Sequence, residues 1–370
     1  MIIRSATLYY LVMPLKETFK TSYGVMKDKH LCIIKLVSND GIEGYGELDA
    51  FAAPWYTEET TATATLIIKD HLLPLLQNFE LQEPNQVNQI FQSIRGNEMA
   101  KAAIETAVWD VFAKMSNQPL ATYLGGKISD VSVGVSVGIK EHPDELLQTV
   151  SSYVNEGYSR VKLKVKPGFD VDFIKQIRDK FPELLLMVDA NSAYRREDIA
   201  ILKQMDKYNL AMLEQPFGVN DLVDHAWLQK QLKTPICLDE NIRSLADVIQ
   251  ASKLKSARAI NVKVARVGGL TEAIKIATFC NENDMVAWCG GMFEAGIGRA
   301  HNIALASRVE FSFPGDISAS NRYFEKDIIT EEFVSSNGKI TTPKRAGIGV
   351  DIDEKSLESY CKRWEYIILN

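Results

Sequence analysis

No stretch of this chain approaches the roughly 18 unbroken apolar residues that a membrane-spanning helix requires, so no membrane partner is expected. It has no basic excess either: 42 Lys and Arg stand against 48 Asp and Glu, a net charge of −6. Nucleic acid and anionic lipid both call for a basic face, and neither is expected as a partner. The opening MIIRSATLYYLVMPL is interrupted by Arg4 and Ser5 and is followed by no small-residue cleavage site, so it is not read as a signal peptide. Cysteine is sparse and unpatterned. Cys32, Cys237, Cys280, Cys289 and Cys361 form no CxxC pair, and an odd number within apolar runs predicts reduced, buried thiols in a cytoplasmic protein.

What is present is ordinary for a folded protein, and 370 residues exceed a single ordinary core, so two domains are expected. Residues 2–13 and 30–38 read as strands, and IEGYGELDA (42–50) continues after the turn signal Asn39-Asp40-Gly41. Helical patterns follow at 58–76 and 85–95. A longer one at 97–116 places Ala100, Ile104, Ala107, Val108, Val111 and Phe112 on one face. Strands followed by helices predict an α+β domain over 1–125, with Gly125-Gly126 at its boundary.

From residue 130 short apolar runs alternate with helical stretches. The runs cover 131–138, 160–166, 184–191, 210–216, 235–240, 259–266, 285–291 and 309–315. Nearly continuous hydrophobic strands suit a parallel sheet covered on both faces. Lys164, Asp189, Glu214, Asp239 and Lys263 recur at intervals of 25, 25, 25 and 24 residues, each near the C-terminal end of its run. That period is one βα unit, and the repeat predicts a β/α barrel over 126–320 whose strand ends share one face. Residues 321–370 are expected to return to the first domain.

Asp189, Glu214 and Asp239 would repel one another at a shared mouth unless something positive lay between them. A hard divalent cation with oxygen ligands answers this; Mg²⁺ fits, and Mn²⁺ is the alternative. Each acid taken alone also reads as a solvated helix N-cap. Lys162 and Lys164 share one face of VKLKVK, and Val161, Leu163 and Val165 take the other, which turns the lysines inward. Lys263 sits across the barrel between Val262 and Val264. Burial lowers a lysine's pKa and neighbouring carboxylates raise it, so the sequence leaves the net value open. Together the set describes a small-molecule carboxylate held at a cation, with a lysine removing its α-proton.

At this point the residues resemble the enolase superfamily. KLKVKPG (162–168), VDAN (188–191), EQP (214–216), LDE (238–240) and NVKVARVGG (261–269) resemble the motifs of its muconate-lactonizing subgroup. WCGGMFEAGIGRA (288–300) and FPGDISAS (313–320) resemble the branch that holds the o-succinylbenzoate synthases and N-succinylamino acid racemases. The resemblance implies a (β/α)7β TIM-like barrel with an N-terminal α+β capping domain. It implies Lys164 as principal base and acid with Lys162 beside it, Lys263 opposite, and Asp189, Glu214 and Asp239 as metal ligands. Arg266 resembles a residue that tunes Lys263, although the Pro-Gly pair common before it is Val264-Ala265 here. Ser136, Tyr56, Gly291, Met292 and Phe293 would meet substrate, under loops at Thr21–Met26 and Phe51–Tyr56.

The implied reaction is dehydration of 2-succinyl-6-hydroxy-2,4-cyclohexadiene-1-carboxylate in menaquinone biosynthesis, or racemisation of N-succinylamino acids by the same residues. The mandelate-racemase pattern of a histidine on a late barrel strand is missing, and GDIS replaces the Asp-x-Asp of dipeptide epimerases. A non-catalytic metal-binding barrel would have lost a base or ligand. A Schiff-base aldolase would leave the three carboxylates without a task. The chain is expected to form a homo-oligomer.

Overall fold

A long antiparallel hairpin opens the chain in the computed structural model, which describes residues 1–20 and 24–369. Its strands are β1 (Ile3–Lys20) and β2 (Val25–Ser38), and β3 (Glu43–Leu48) follows alongside β2. Period-2 alternation in β2 splits its side chains between two cores. Cys32 and Ile34 pack with Ala103, Ile104 and Ala107 of the helix Glu98–Met115, while Leu31 and Ile33 join the barrel's apolar cluster. The helix lies close on β3 because Gly44 and Gly46 present no side chain there. A Cβ at Gly46 would sit 2.0 Å from the Ala103 carbonyl oxygen.

Both strands of the hairpin outrun their expected limits of 2–13 and 30–38. Pro14 is tolerated within β1 because the strand that covers β1 on its outer side reaches only Leu11. Beyond that point β1 is an edge, where a missing N–H costs no ladder bond. The 58–76 helix is likewise broken into Thr61–Ile67, a π-turn at Ile68–Leu72 and Leu73–Leu76. Pro74 has no N–H to continue an α ladder across that junction.

The expected strand 131–138 divides at Gly134 into β4 (Asp130–Ser132) and β5 (Val135–Val137). The Arg160 side chain fills the space over Gly134, where an added Cβ would meet Nε at 2.2 Å. Parallel strands β6 (Arg160–Lys164), β7 (Leu185–Asp189), β8 (Leu213–Glu214), β9 (Ile236–Leu238), β10 (Ala259–Val262) and β11 (Val286–Cys289) follow β5 in spatial order. Helices Pro143–Asn155, Val171–Lys180, Ile199–Met205, Val223–Gln229, Leu245–Leu254, Leu270–Glu282 and Gly296–Ala306 succeed β5 to β11 in turn, giving seven βα units.

The eighth run, 309–315, is not a strand. Pro314 lacks a donor and gives its carbonyl to the Arg160 side chain instead of a neighbouring strand. Gly315 exchanges backbone hydrogen bonds with Ser132 and Gly134, and the Asp316 N–H donates to Cys289 O at 2.9 Å, so this short segment links the two edges of the sheet. The chain ends with β12 (Lys339–Thr341), antiparallel to β4, and β13 (Cys361–Ile368), antiparallel to β1 on the capping sheet. Among the described residues no helix is long and apolar enough to cross a membrane.

Candidate active site

Alternation along the barrel strands decides what faces the interior. Val161 and Leu163, Leu186 and Val188, Leu213, Ile236 and Leu238, and Ile260 and Val262 all join the apolar cluster packed under the helices. Their neighbours of opposite parity point inward. At the floor these are Met187, Met212, Cys237, Ala259 and Trp288, which form a small cluster of their own. One step further along each strand the inward positions become charged or polar. The register sets Ser136 beside Lys162, Lys164 beside Asp189, and Asp189 beside Glu214. Asp239 and Lys263 follow directly on the ends of β9 and β10.

The side chains meet as a dense ionic lattice with little solvent access. Lys162 Nζ lies 2.9 Å from Glu214 Oε2, 3.3 Å from Asp189 Oδ2 and 2.5 Å from Asp316 Oδ2. Lys164 Nζ donates to Asp189 Oδ2 and Asn191 Oδ1, both at 2.6 Å. Lys263 Nζ donates to Asp239 Oδ2 at 2.9 Å and to the Tyr56 hydroxyl at 2.8 Å. Arg266 grips the other oxygen of Asp239, reaches Tyr56 at 3.0 Å, and is itself fixed by the Ile242 and Asn261 carbonyls. It therefore holds both partners of Lys263 at once.

Burial sharpens these electrostatics. Burial alone would lower the Lys162 ammonium, but Asp316, Glu214 and Asp189 hold it well above the ordinary lysine value, so it stays charged. Burial would raise Asp239, yet Lys263 and Arg266 outweigh it and bring the group down to about 2. Burial and then Asp189 push Glu214 up to about 7, and burial with Asp239 and Asp189 takes Glu240 to about 8.

Lys162, Lys164, Lys263, Ser136, Tyr56, Gly291, Met292 and Phe293 all line one cavity of about 60 Å³. Phe19, Met26, Phe51 and Trp55 supply its apolar wall. The Ser136 hydroxyl is buried and has no hydrogen-bond partner among the described residues. Phe293 holds a left-handed backbone, φ +63°, at the turn that brings its ring over the cavity. Of the Thr21–Met26 loop, residues 21–23 lie outside the described residues, while Met26 belongs to β2 and lines the cavity.

The three candidate metal ligands are brought onto adjacent staves, but their inward oxygens are held by ammonium groups. Among the described residues no three His, Cys, Asp or Glu side chains converge closely enough to hold a metal ion. The donor chemistry does suit a hard divalent cation. All three acids offer oxygen, all are at most 1% exposed, and the upward push on Glu214 and Glu240 marks a surplus of negative charge that a cation would relieve.

Sequence reasoning passed over Asn191, Asn261, Arg160 and Asp316. Asn261 donates to Glu214 Oε1 at 2.7 Å, and Arg160 Nη1 meets Asp316 Oδ1 at 2.6 Å. Arg160 and Asn261 were readable, since each stands two residues before an inward lysine. Asp316 was not, because it follows the one barrel segment that is no strand and so carries no alternation signal.

Comparison with known proteins agrees with this architecture. Residues 145–356 match the family described as enolase C-terminal domain-like, and residues 4–125 match the mandelate racemase/muconate lactonizing enzyme N-terminal domain. The chain is 55% identical over 370 residues to a Listeria innocua protein named o-succinylbenzoate synthase, covering 100% of this chain and 99% of the relative. It is 41% identical to a Thermus thermophilus protein named N-succinylamino acid racemase, over 95% of each. A crystal structure of an enolase-superfamily member from Listeria innocua superposes with a TM-score of 0.98 over the whole of both chains, at 55% identity.

Proposed function

Because the chain belongs to the mandelate racemase/muconate lactonizing enzyme family of the enolase superfamily, we propose that it catalyses the o-succinylbenzoate synthase reaction. This is the dehydration of 2-succinyl-6-hydroxy-2,4-cyclohexadiene-1-carboxylate to 2-succinylbenzoate, a step of menaquinone biosynthesis. The observation that carries the reading is the placement of Lys164 and Lys263, on β6 and just past β10, facing one cavity with the carboxylates of β7, β8 and β9 between them.

Enzymes of the superfamily generally depend on a divalent metal. Asp189, Glu214 and Asp239 would hold Mg²⁺, or Mn²⁺, which supplies a Lewis acid for the substrate carboxylate. Lys164 takes the α-proton, and the electron pair moves onto the carboxylate as an enediolate. The same lysine then returns that proton to the departing hydroxyl. The C–O bond breaks, water leaves, and the ring becomes aromatic. Lys162 and Lys263 offset the charge that develops on the enediolate, with side chains that have little solvent access. Ser136, Tyr56 and the Gly291–Phe293 turn orient the substrate.

A second activity, racemisation of N-succinylamino acids, is favoured by one feature: two lysines approach the cavity from opposite staves, and Arg266 braces the partners of one of them. Lys263 would then serve as base on the opposite face. A cytoplasmic homo-oligomer completes the proposal, supported by the unpatterned cysteines and by Trp364, Tyr366 and Ile368, exposed in alternation along β13.

The test incubates the protein with the cyclohexadiene carboxylate, with Mg²⁺ or with excess chelator, and follows aromatic product. A parallel sample holds an N-succinylamino acid in D₂O. Metal-dependent product supports the synthase reaction, and α-proton exchange adds the racemase. Neither reaction from folded protein sinks the substrate assignment.

A further inference from the structure

Lys29, on β2, has a side chain with 0% exposure, and a buried ammonium must find acceptors for its protons. Its Nζ donates to the Asp49 carbonyl at 3.0 Å and to the Met292 carbonyl at 2.9 Å. It lies 3.7 Å from Asp49 Oδ1 and 4.6 Å from the centre of the Phe51 ring. The two carbonyls belong to different halves of the molecule. Asp49 leads into the capping segment Phe51–Tyr56, and Met292 lies within the barrel turn Gly291–Phe293. Both segments wall the reaction cavity.

Two buried carboxylates, Glu47 and Glu294, lie at the same interface. Glu47 accepts from Ala295 N and Gly298 N at 2.7 Å, tying β3 to the start of the helix Gly296–Ala306. Glu294 accepts from Met292 N at 2.6 Å and from Asn302 at 2.8 Å. From Lys29 an unbroken line of contacts runs to the chemistry. The Phe51 ring under the ammonium meets Tyr56 edge-on at 5.9 Å, and the Tyr56 hydroxyl accepts from Lys263 at 2.8 Å.

We propose that Lys29 is a positioning residue that fastens the capping segment Phe51–Tyr56 to the barrel turn Gly291–Phe293, and through Tyr56 sets the place of Lys263. Only the kinetic arm of its test rests on the functional reading above. Lys29→Met keeps the apolar stem and removes the donors. In the Mg²⁺-loaded protein, amide hydrogen exchange at residues 50–56 and 291–293 is expected to quicken about tenfold while β6 to β10 stay protected.

In D₂O, α-proton exchange of the N-succinylamino acid enantiomer that Lys263→Ala abolishes should slow about tenfold, and the other enantiomer less than twofold. Combined with Tyr56→Phe, the loss should be no greater than for Tyr56→Phe alone. If Lys29→Met does not fold, Phe51→Leu leaves the ammonium and both carbonyls in place and carries the same face-selective expectation. Unchanged amide exchange in both segments, equal slowing of both enantiomers, or additivity with Tyr56→Phe would overturn the proposal. Should the wild type exchange neither enantiomer, the racemase activity fails, the synthase reading stands or falls on aromatic product, and the amide arm alone decides.

Discussion

The ammonium of Lys162 lies 2.5 Å from the carboxylate of Asp316, a residue carried not by a strand but by the segment that joins the two edges of the barrel sheet. Charge at the centre of the site is thus coupled to closure of the barrel. Arg160 grips the other oxygen of Asp316, so two buried cations share one acid. Asp316→Ala is predicted to cost on the order of 3 kcal/mol in denaturant unfolding, because it leaves both cations short of a partner. A loss under about 0.5 kcal/mol would mean that Glu214 and solvent satisfy Lys162 without it.

Metal binding should be visible without any turnover. The carboxylates proposed as ligands are buried and mutually repelling, so a bound divalent cation stabilises the folded state by mass action. At a hundredfold excess over Kd the expected gain is about 2.7 kcal/mol. Thermal melting with and without Mg²⁺ measures it, and Glu214→Gln should remove most of the shift. An identical melting temperature in Mg²⁺ and chelator would speak against this ligand set.

A stability effect of opposite sign to a surface salt bridge is expected at Glu59. It accepts from Met99 N at 2.8 Å and Ala100 N at 3.0 Å at the start of the long capping helix. Burial nevertheless pushes its carboxyl up to about 7. The folded state then holds a proton that the unfolded chain releases near 4.5, so this contribution is full below that pH and is lost as pH rises toward 7. The slope is at most about 1.4 kcal/mol per pH unit. Subtracting the Glu59→Gln stability profile from the wild-type profile between pH 4 and 8 isolates it. A difference that stays flat, or that grows with pH, would contradict the assignment.

How far these features were legible in the sequence varies with the element that carries them. In RVKLK the period of two alone turns Lys162 and Lys164 inward, and the interval of about 25 residues aligns Asp189, Glu214, Asp239 and Lys263 on neighbouring staves. Elsewhere local signals misled. Val309–Gly315 reads as a strand, although Pro314 gives its carbonyl to Arg160. Asp316 and Lys29 were invisible for a shared reason. Each gains its importance from a partner more than a hundred residues away, Arg160 and Lys162 for the first and Met292 for the second, and no local pattern encodes such a meeting.

The central claim is that Lys164 moves the proton. The most direct measurement is the rate of aromatic product formation from the cyclohexadiene carboxylate by Lys164→Ala, beside the wild type, with Mg²⁺ present and folding verified by melting. Loss of a general base and acid that handles both transfers should cost at least about 10³-fold, with the melting temperature little changed. A folded Lys164→Ala protein that dehydrates the substrate within tenfold of the wild-type rate would contradict it.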